Sequence, residues 1–205
     1  YQARRNSELR KKSKNFMKIL GKLLRKMTQK TQRPDEDTSP FIFEYFEYAS
    51  KSLEQLSLFG PIFFKGCHES ALDITKKFKH YKIIPSFVHG DFVFRNIHVH
   101  DEKVGLIDFA NAIFLSHPLN DIYNMRIALG NMFLSHTFEQ ELLAAFYQGF
   151  GTMEFPDIAH EFYHEYHRRR WLMLKLSSSR LKDLLQGLRG LATFARPGSG
   201  GAHSL

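Results

Sequence analysis

The stretch HGDFVFRN, residues 89–96, is followed twelve residues after Asn96 by Asp108, in the run LIDF at 106–109. Between them NIHVH alternates briefly, DEK makes a turn, and VGLIDF is a second apolar run. Residues 97–99 and 104–107 therefore read as a small β-hairpin. An Asp and an Asn five apart can face each other across a tight loop, and the hairpin returns Asp108 toward that loop. Almost everything else is patterned for helices. The expected fold class is α+β, mostly α-helical, with the hairpin carrying the two loops.

Outward from the hairpin the periodicity is helical. Phe16, Leu20, Leu23, Leu24 and Met27 recur at spacings of three and four, predicting a helix over 7–31 with basic residues between. TQRPDEDTSP is a polar break. Ser39-Pro40 is a good cap and first-turn pair for a helix to about Gln55. LFGPIFFKG reads as a loop, and a helix is expected over about 70–81. After the hairpin, helices are expected at about 120–134, at 138–150 with Thr137 as cap, from Pro156-Asp157 past Trp171, and at about 180–194. RPGSGGAHSL reads as a flexible tail. The organisation expected is a basic N-terminal helix over 1–33, a main body over 34–194, and a tail over 195–205.

Phosphoryl transfer needs a carboxylate to take or orient the proton of an attacking hydroxyl, and hard oxygen ligands for magnesium against the phosphates. Asp91 can be the first; Asn96 and Asp108 can be the second. His-Gly-Asp, four residues and Asn, then Ile-Asp, then a further Asp about a dozen residues on (here Asp121, in HPLNDIY) resembles the loops of the aminoglycoside phosphotransferase and choline kinase family, relatives of protein kinases. The likeness extends over roughly residues 10–175, and ILGKLLRKM (19–27) resembles the first helix of that family's large lobe. It implies a protein-kinase-like large lobe, ATP and magnesium as cofactors, and a small molecule accepting phosphate on a hydroxyl. It also implies Asp91 as catalytic base, Asn96 and Asp108 as magnesium ligands, and His89 and Asp121 as structural support. Asp121 could equally cap the helix that follows it.

The family's small lobe carries a nucleotide-covering loop and a phosphate-pairing lysine. Before His89 this sequence has only Gly21, Gly60 and Gly66, and no G-x-G-x-x-G or Val-Ala-Ile-Lys-like strand. The small lobe is therefore expected to be absent from these 205 residues. The expected partner over the cleft is that missing lobe or another chain. Tyr1 rather than Met at the start is read as a sign of something upstream.

Charge excludes some classes. The net charge is +8, but residues 1–33 hold 12 Lys/Arg and one acid, Glu8, while residues 34–167 hold 9 bases and 19 acids. A basic end beside an acidic middle argues against nucleic acid. The middle suits magnesium and would tolerate a cationic acceptor such as an aminoglycoside or choline. Magnesium loops are acidic in any kinase, so this does not choose the acceptor. The basic helix over 1–33 has a membrane-surface contact as its alternative use. Cys67 is the only cysteine, which precludes an internal disulfide and fits a reducing, cytoplasmic setting.

HEFYH, His160–His164, matches H-E-x-x-H, a zinc pattern when both histidines share a helix face. His167 falls three residues on and no GxxH follows, so a structural helix is expected there. HVHD (98–101) is expected to be a solvated strand end. Three functional classes remain: an ATP-dependent phosphotransferase, a catalytically silent kinase-like remnant that binds a partner, and a basic surface binder that uses residues 1–33 on anionic membranes or nucleic acid.

Overall fold

A computed structural model describes residues 2–56, 60–81, 84–100, 103–132, 135–151, 155–178 and 187. In chain order these hold helix α1 (Gln2–Thr31), α2 (Pro40–Glu54), the one-turn α3 (Gly60–Phe63) and α4 (Cys67–Lys79). Strand β1 (Ser86–Val88) follows, then β2 (Ile97–His100), β3 (Lys103–Leu106) and β4 (Ile113–Ser116). Helices α5 (Leu119–Gly130), α6 (His136–Phe150) and α7 (Asp157–Leu176) complete the order. The expected helix at 180–194, Gly187 apart, and the tail at 195–205 lie outside the described residues.

Two compact units result, one from residues 1–40 and 79–163 and one from 41–78 and 164–205. In the first, α1 lies along α6. Met17, Leu20 and Leu24 of α1 and Phe146 and Phe150 of α6 are buried, as the three- and four-residue spacing requires. The helices touch through two glycines. A Cβ on Gly21 would lie 2.1 Å from the Phe146 carbonyl oxygen, and one on Gly149 would lie 1.9 Å from that of Lys18. Any larger residue would push the backbones apart.

The C-terminal end of α1 is pinned to β1. Phe87 N donates to Thr31 Oγ1 at 3.0 Å, and Arg33 N donates to the Pro85 carbonyl oxygen at 2.9 Å. β1 pairs antiparallel with β4, Ser86 opposite Ser116 and Val88 opposite Ile113, with an irregularity between. β2 and β3 form the hairpin, in register from Ile97–Leu106 to His100–Lys103. His98 and His100 are exposed on it.

In the second unit, Ala49, Leu53, Phe64, Leu172, Met173 and Leu176 form the core. Arg169, 6% exposed, is held there by Glu165, Ser50, Ser70 and the Cys67 carbonyl, with its guanidinium 4.9 Å from the Phe46 ring. A hydrogen bond from His164 and the charges of Arg168 and Arg169 hold the Glu165 carboxyl at about 2 against the effect of burial.

Two expectations need correction. The loop at 58–66 contains the turn α3. The cap of α6 is Ser135, whose side chain accepts from Phe138 N, rather than Thr137. The β1–β4 pair was not foreseen. Among the described residues no helix is long and apolar enough to cross a membrane.

Candidate active site

The loop at 89–96 is anchored by its own apolar residue. Phe92 is fully buried, its ring 6.5 Å from that of Phe146 on α6. Fixing Phe92 inward leaves its polar neighbours to turn elsewhere. Residues 94–96 form a 3-10 turn that feeds β2. Across this turn the Asn96 amide nitrogen donates to the Asp91 carbonyl oxygen and to Asp91 Oδ2, both at 2.9 Å. Both partners are acceptors, so the amide nitrogen must face them and the amide oxygen is left for another ligand. Arg95 also donates to Asp91 Oδ2, at 2.7 Å. Both side-chain bonds therefore fall on one oxygen of Asp91.

The second loop, at 107–111, is tied to the first in four places. Ile107 N donates to the Asn96 carbonyl oxygen at 3.0 Å. The buried His89 ring donates from Nε2 to the Ile107 carbonyl oxygen at 2.8 Å, and Asp91 N lies 3.4 Å from its Nδ1. The Phe109 ring sits 4.7 Å from the His89 ring. Gly90, at φ 76°, approaches Asn111 so closely that a Cβ would lie 1.9 Å from its carbonyl oxygen. Asp108 is flanked on both sides by residues that touch His89.

Asp108 itself is exposed and adopts φ 61°, ψ 69°, and it is the only described non-glycine residue with positive φ. That conformation is uncommon for a residue with a Cβ, though Asp and Asn tolerate it best, and such outliers gather at functional sites. Its carboxylate does not cap the 3-10 turn it precedes. It is unspent on its own backbone.

Asp121 is the third residue of α5 and wholly buried. Its two oxygens accept from His89 N at 2.8 Å and Gly90 N at 2.9 Å. Burial pushes its carboxyl up to about 7, against the pull of those two amides, with a smaller push from Asp91. Asn124, one helical turn on, donates to the Gly90 carbonyl oxygen at 3.0 Å. Asn124 was not singled out from the sequence. Its place three residues after Asp121, on the same helix face, was the available signal.

A magnesium ion is implied by the donor chemistry, and the residues fit one. Asn96 offers a neutral amide oxygen and Asp108 a free carboxylate. Magnesium is commonly held by one or two carboxylates together with phosphate oxygens and water. The alternative zinc pattern does not assemble. His160 is engaged with Tyr123 and Phe155, His164 sits against Glu165, and no group of three or more His, Cys, Asp or Glu suited to a metal occurs among the described residues.

A solvent-facing aromatic patch lies on the same unit. Phe87 contacts Phe109 at 6.1 Å and Phe114 at 5.4 Å, and Phe109 and Phe114 are 48% and 77% exposed.

Two solved structures share the fold. A spectinomycin phosphotransferase, APH(9)-Ia, in complex with ADP and spectinomycin is 16% identical, with a TM-score of 0.53, over 90% of this chain and 62% of that one. The AMP-bound complex of the same enzyme is 18% identical, with a TM-score of 0.54, over 90% and 63%. The chain thus spans under two thirds of the length of these structures. A comparison with curated proteins gives no match. The model of the phosphotransferase enzyme family, APH, matches residues 2–172, most of the sequence, and the chain belongs to that family.

Proposed function

We propose that the chain carries the catalytic and metal loops of an ATP-dependent phosphotransferase that moves a γ-phosphoryl group to a hydroxyl of a small molecule. The observation that carries this reading is the convergence at His89. One ring braces the loop of Asp91 and Asn96 against the loop of Asp108, with Asp121 and Asn124 holding the backbone beneath.

In this reading Asp91 is the base. Asn96 bonds one of its oxygens, which orients the carboxylate and leaves the other to accept the proton of the attacking hydroxyl. Asn96 and Asp108 hold magnesium, which neutralises charge on the phosphates. His89, Asp121 and Asn124 act through the backbone, and positioning of this kind supplies much of the rate in phosphoryl transfer. The APH(9)-Ia neighbours carry ADP or AMP, which supports nucleotide use.

The exposed Phe109 and Phe114 fit a surface that the nucleotide base and a covering lobe would occupy. That lobe, in this reading, is supplied from outside these 205 residues, by a longer protein or another chain. The same patch favours the second reading, a silent module that docks a partner there.

The test is a phosphoryl-transfer assay on the 205-residue chain and on any longer protein that includes it, with Asp91→Asn beside each. The short chain should turn over little, and the longer protein should be active. Asp91→Asn should lower the chemical step by about a hundredfold or more while sparing nucleotide binding. Full activity in the Asp91→Asn longer protein removes the phosphotransferase reading and leaves the docking module.

A further inference from the structure

We infer that Arg95 selects the acceptor: it binds an anionic group, carboxylate or phosphate, carried on the molecule whose hydroxyl Asp91 receives. The inference rests on the phosphotransferase reading and names its substrate class. It runs against the acidic net charge of residues 34–167, which by itself would admit a cationic acceptor.

Arg95 and Asn96 are consecutive in the 3-10 turn, where successive side chains splay by about 120°. Asn96 turns inward and is 4% exposed. Arg95 turns outward, its side chain 74% exposed, while that of Asp91 is 13% exposed. Oδ2 of Asp91 is the point the two share. A molecule that places a hydroxyl on Asp91 from the solvent side therefore meets the Arg95 guanidinium beside it.

The Arg95–Asp91 pair is a poor final use of a guanidinium. It is a single bond to one oxygen, at an exposed position where such pairs are weak. A carboxylate or phosphate offers two oxygens in the geometry that the guanidinium fork matches. Reassigning the cation to such a group costs little and gives a paired contact. A cationic acceptor would meet like charge at the same place.

The test uses the longer protein and four three-carbon acceptors differing in charge: glycerol, glycerate, glycerol 3-phosphate and 3-amino-1,2-propanediol, each with magnesium and ATP. The anionic acceptors should show a KM about ten- to hundredfold below that of glycerol, the size expected of one charged contact. Arg95→Ala should raise the KM for the anionic acceptors far more than that for glycerol, and Arg95→Lys should recover part of the preference. A preference for the amine, or an anion preference that survives Arg95→Ala, overturns the inference. The glycerate and glycerol 3-phosphate arms show which anion is taken.

A second measurement separates this inference from the reading beneath it. The Arg95 Nε resonance in the labelled 205-residue chain should move with glycerol 3-phosphate or glycerate and not with glycerol. Arg33, another exposed arginine in a loose ion pair, serves as control. No movement, or an equal movement at Arg33 signifying an adventitious ion only, overturns the inference. If none of the four acceptors is turned over, the resonance alone decides whether Arg95 is an anion site; if turnover survives Asp91→Asn, the phosphotransferase reading fails and the resonance again decides.

Discussion

Replacing Asp121 probes the brace beneath the candidate base, and the structure sets both the size and the pH dependence of the effect. Asp121→Ala leaves the His89 and Gly90 amides buried without acceptors. At about 1–3 kcal/mol for each unpaired donor, the loss is about 2–6 kcal/mol. Asp121→Asn keeps the shape but offers one acceptor oxygen, so about half of that is lost. The carboxyl adds a pH term. Its value rises from 3.8 to about 7 in the folded protein, mainly through burial. Between about pH 4 and pH 7 the folded state holds a proton that the unfolded state has released. Stability from this group is therefore full below about pH 4 and falls as pH rises to about 7, by about 4 kcal/mol in total. His117 slopes the other way. Burial and the nearby His160 lower it from 6.5 to about 3, so its contribution is lost as pH falls through that window. His117 is present in both the natural chain and the Asp121→Asn chain, so their difference isolates Asp121. The assay is native-state hydrogen exchange at the His89 and Gly90 amides, read from pH 4.5 to 8.5. The protection that the natural chain holds over Asp121→Asn should shrink as pH rises. A difference that is flat, or that grows with pH, would show that the two amides keep the carboxylate ionised and that burial does not dominate.

Two further substitutions test separate parts of the account. Gly90→Ala places a Cβ 1.9 Å from the Asn111 carbonyl oxygen at φ 76°; left-handed strain of about 1–2 kcal/mol adds to the clash. It should push the two loops apart and lower phosphoryl transfer about a hundredfold, and an active Ala variant would show that the loops need not touch. In the second unit, Arg169→Ala strips a partner from Glu165, whose side chain is 15% exposed, and from the Cys67 carbonyl. It should cost about 3–5 kcal/mol, read by the fluorescence of Trp171, the only tryptophan; a loss under about 1 kcal/mol would make the network incidental.

The parts of this fold that were legible in the sequence are those set by local rules. Leu20 and Leu24 of the expected α1 stripe are buried and Phe16, Leu23 and Met27 half-buried, as three- and four-residue spacing sets them, while the buried Met17 lay outside that reading; Ser39-Pro40 marks the start of α2. The hairpin follows from a short alternation around a turn. The parts that were not legible depend on partners distant in sequence. β1 has three residues and β4 four, and unlike β2 and β3 they are not joined by a local turn, so nothing in the sequence between them signals that they pair. Ser135 caps α6 because the helix begins two residues earlier than the apolar pattern does. Asp121 was ambiguous for the same reason. A helix-start acid and an anchor for a loop 31 residues away look alike in sequence, and only the positions of the His89 and Gly90 amides separate them.

The site also shows why spacing alone could pick out a candidate base and candidate ligands but not the bonds that support them. Each brace spends its side chain on backbone: His89 on the Ile107 carbonyl, Asn124 on the Gly90 carbonyl, Asp121 on two amides. Backbone groups carry no sequence signature, so such bonds are invisible until the chain is folded. The residues left with uncommitted oxygens are Asp91, Asn96 and Asp108, and these are the ones whose types and intervals the chemistry itself dictates. Because the braces act on the main chain, a change in His89 or Asn124 should move the Asp91, Asn96 and Asp108 side chains together, whereas a change in Asp108 should remove one candidate metal oxygen and leave the loops in place. The division between positioning and chemistry is thus written in what each side chain bonds to, and it extends to Arg95. Alone among the polar side chains of the 89–96 loop, Arg95 bonds the proposed base while facing solvent, which is the arrangement a group needs if it is to exchange that carboxylate for an incoming anion.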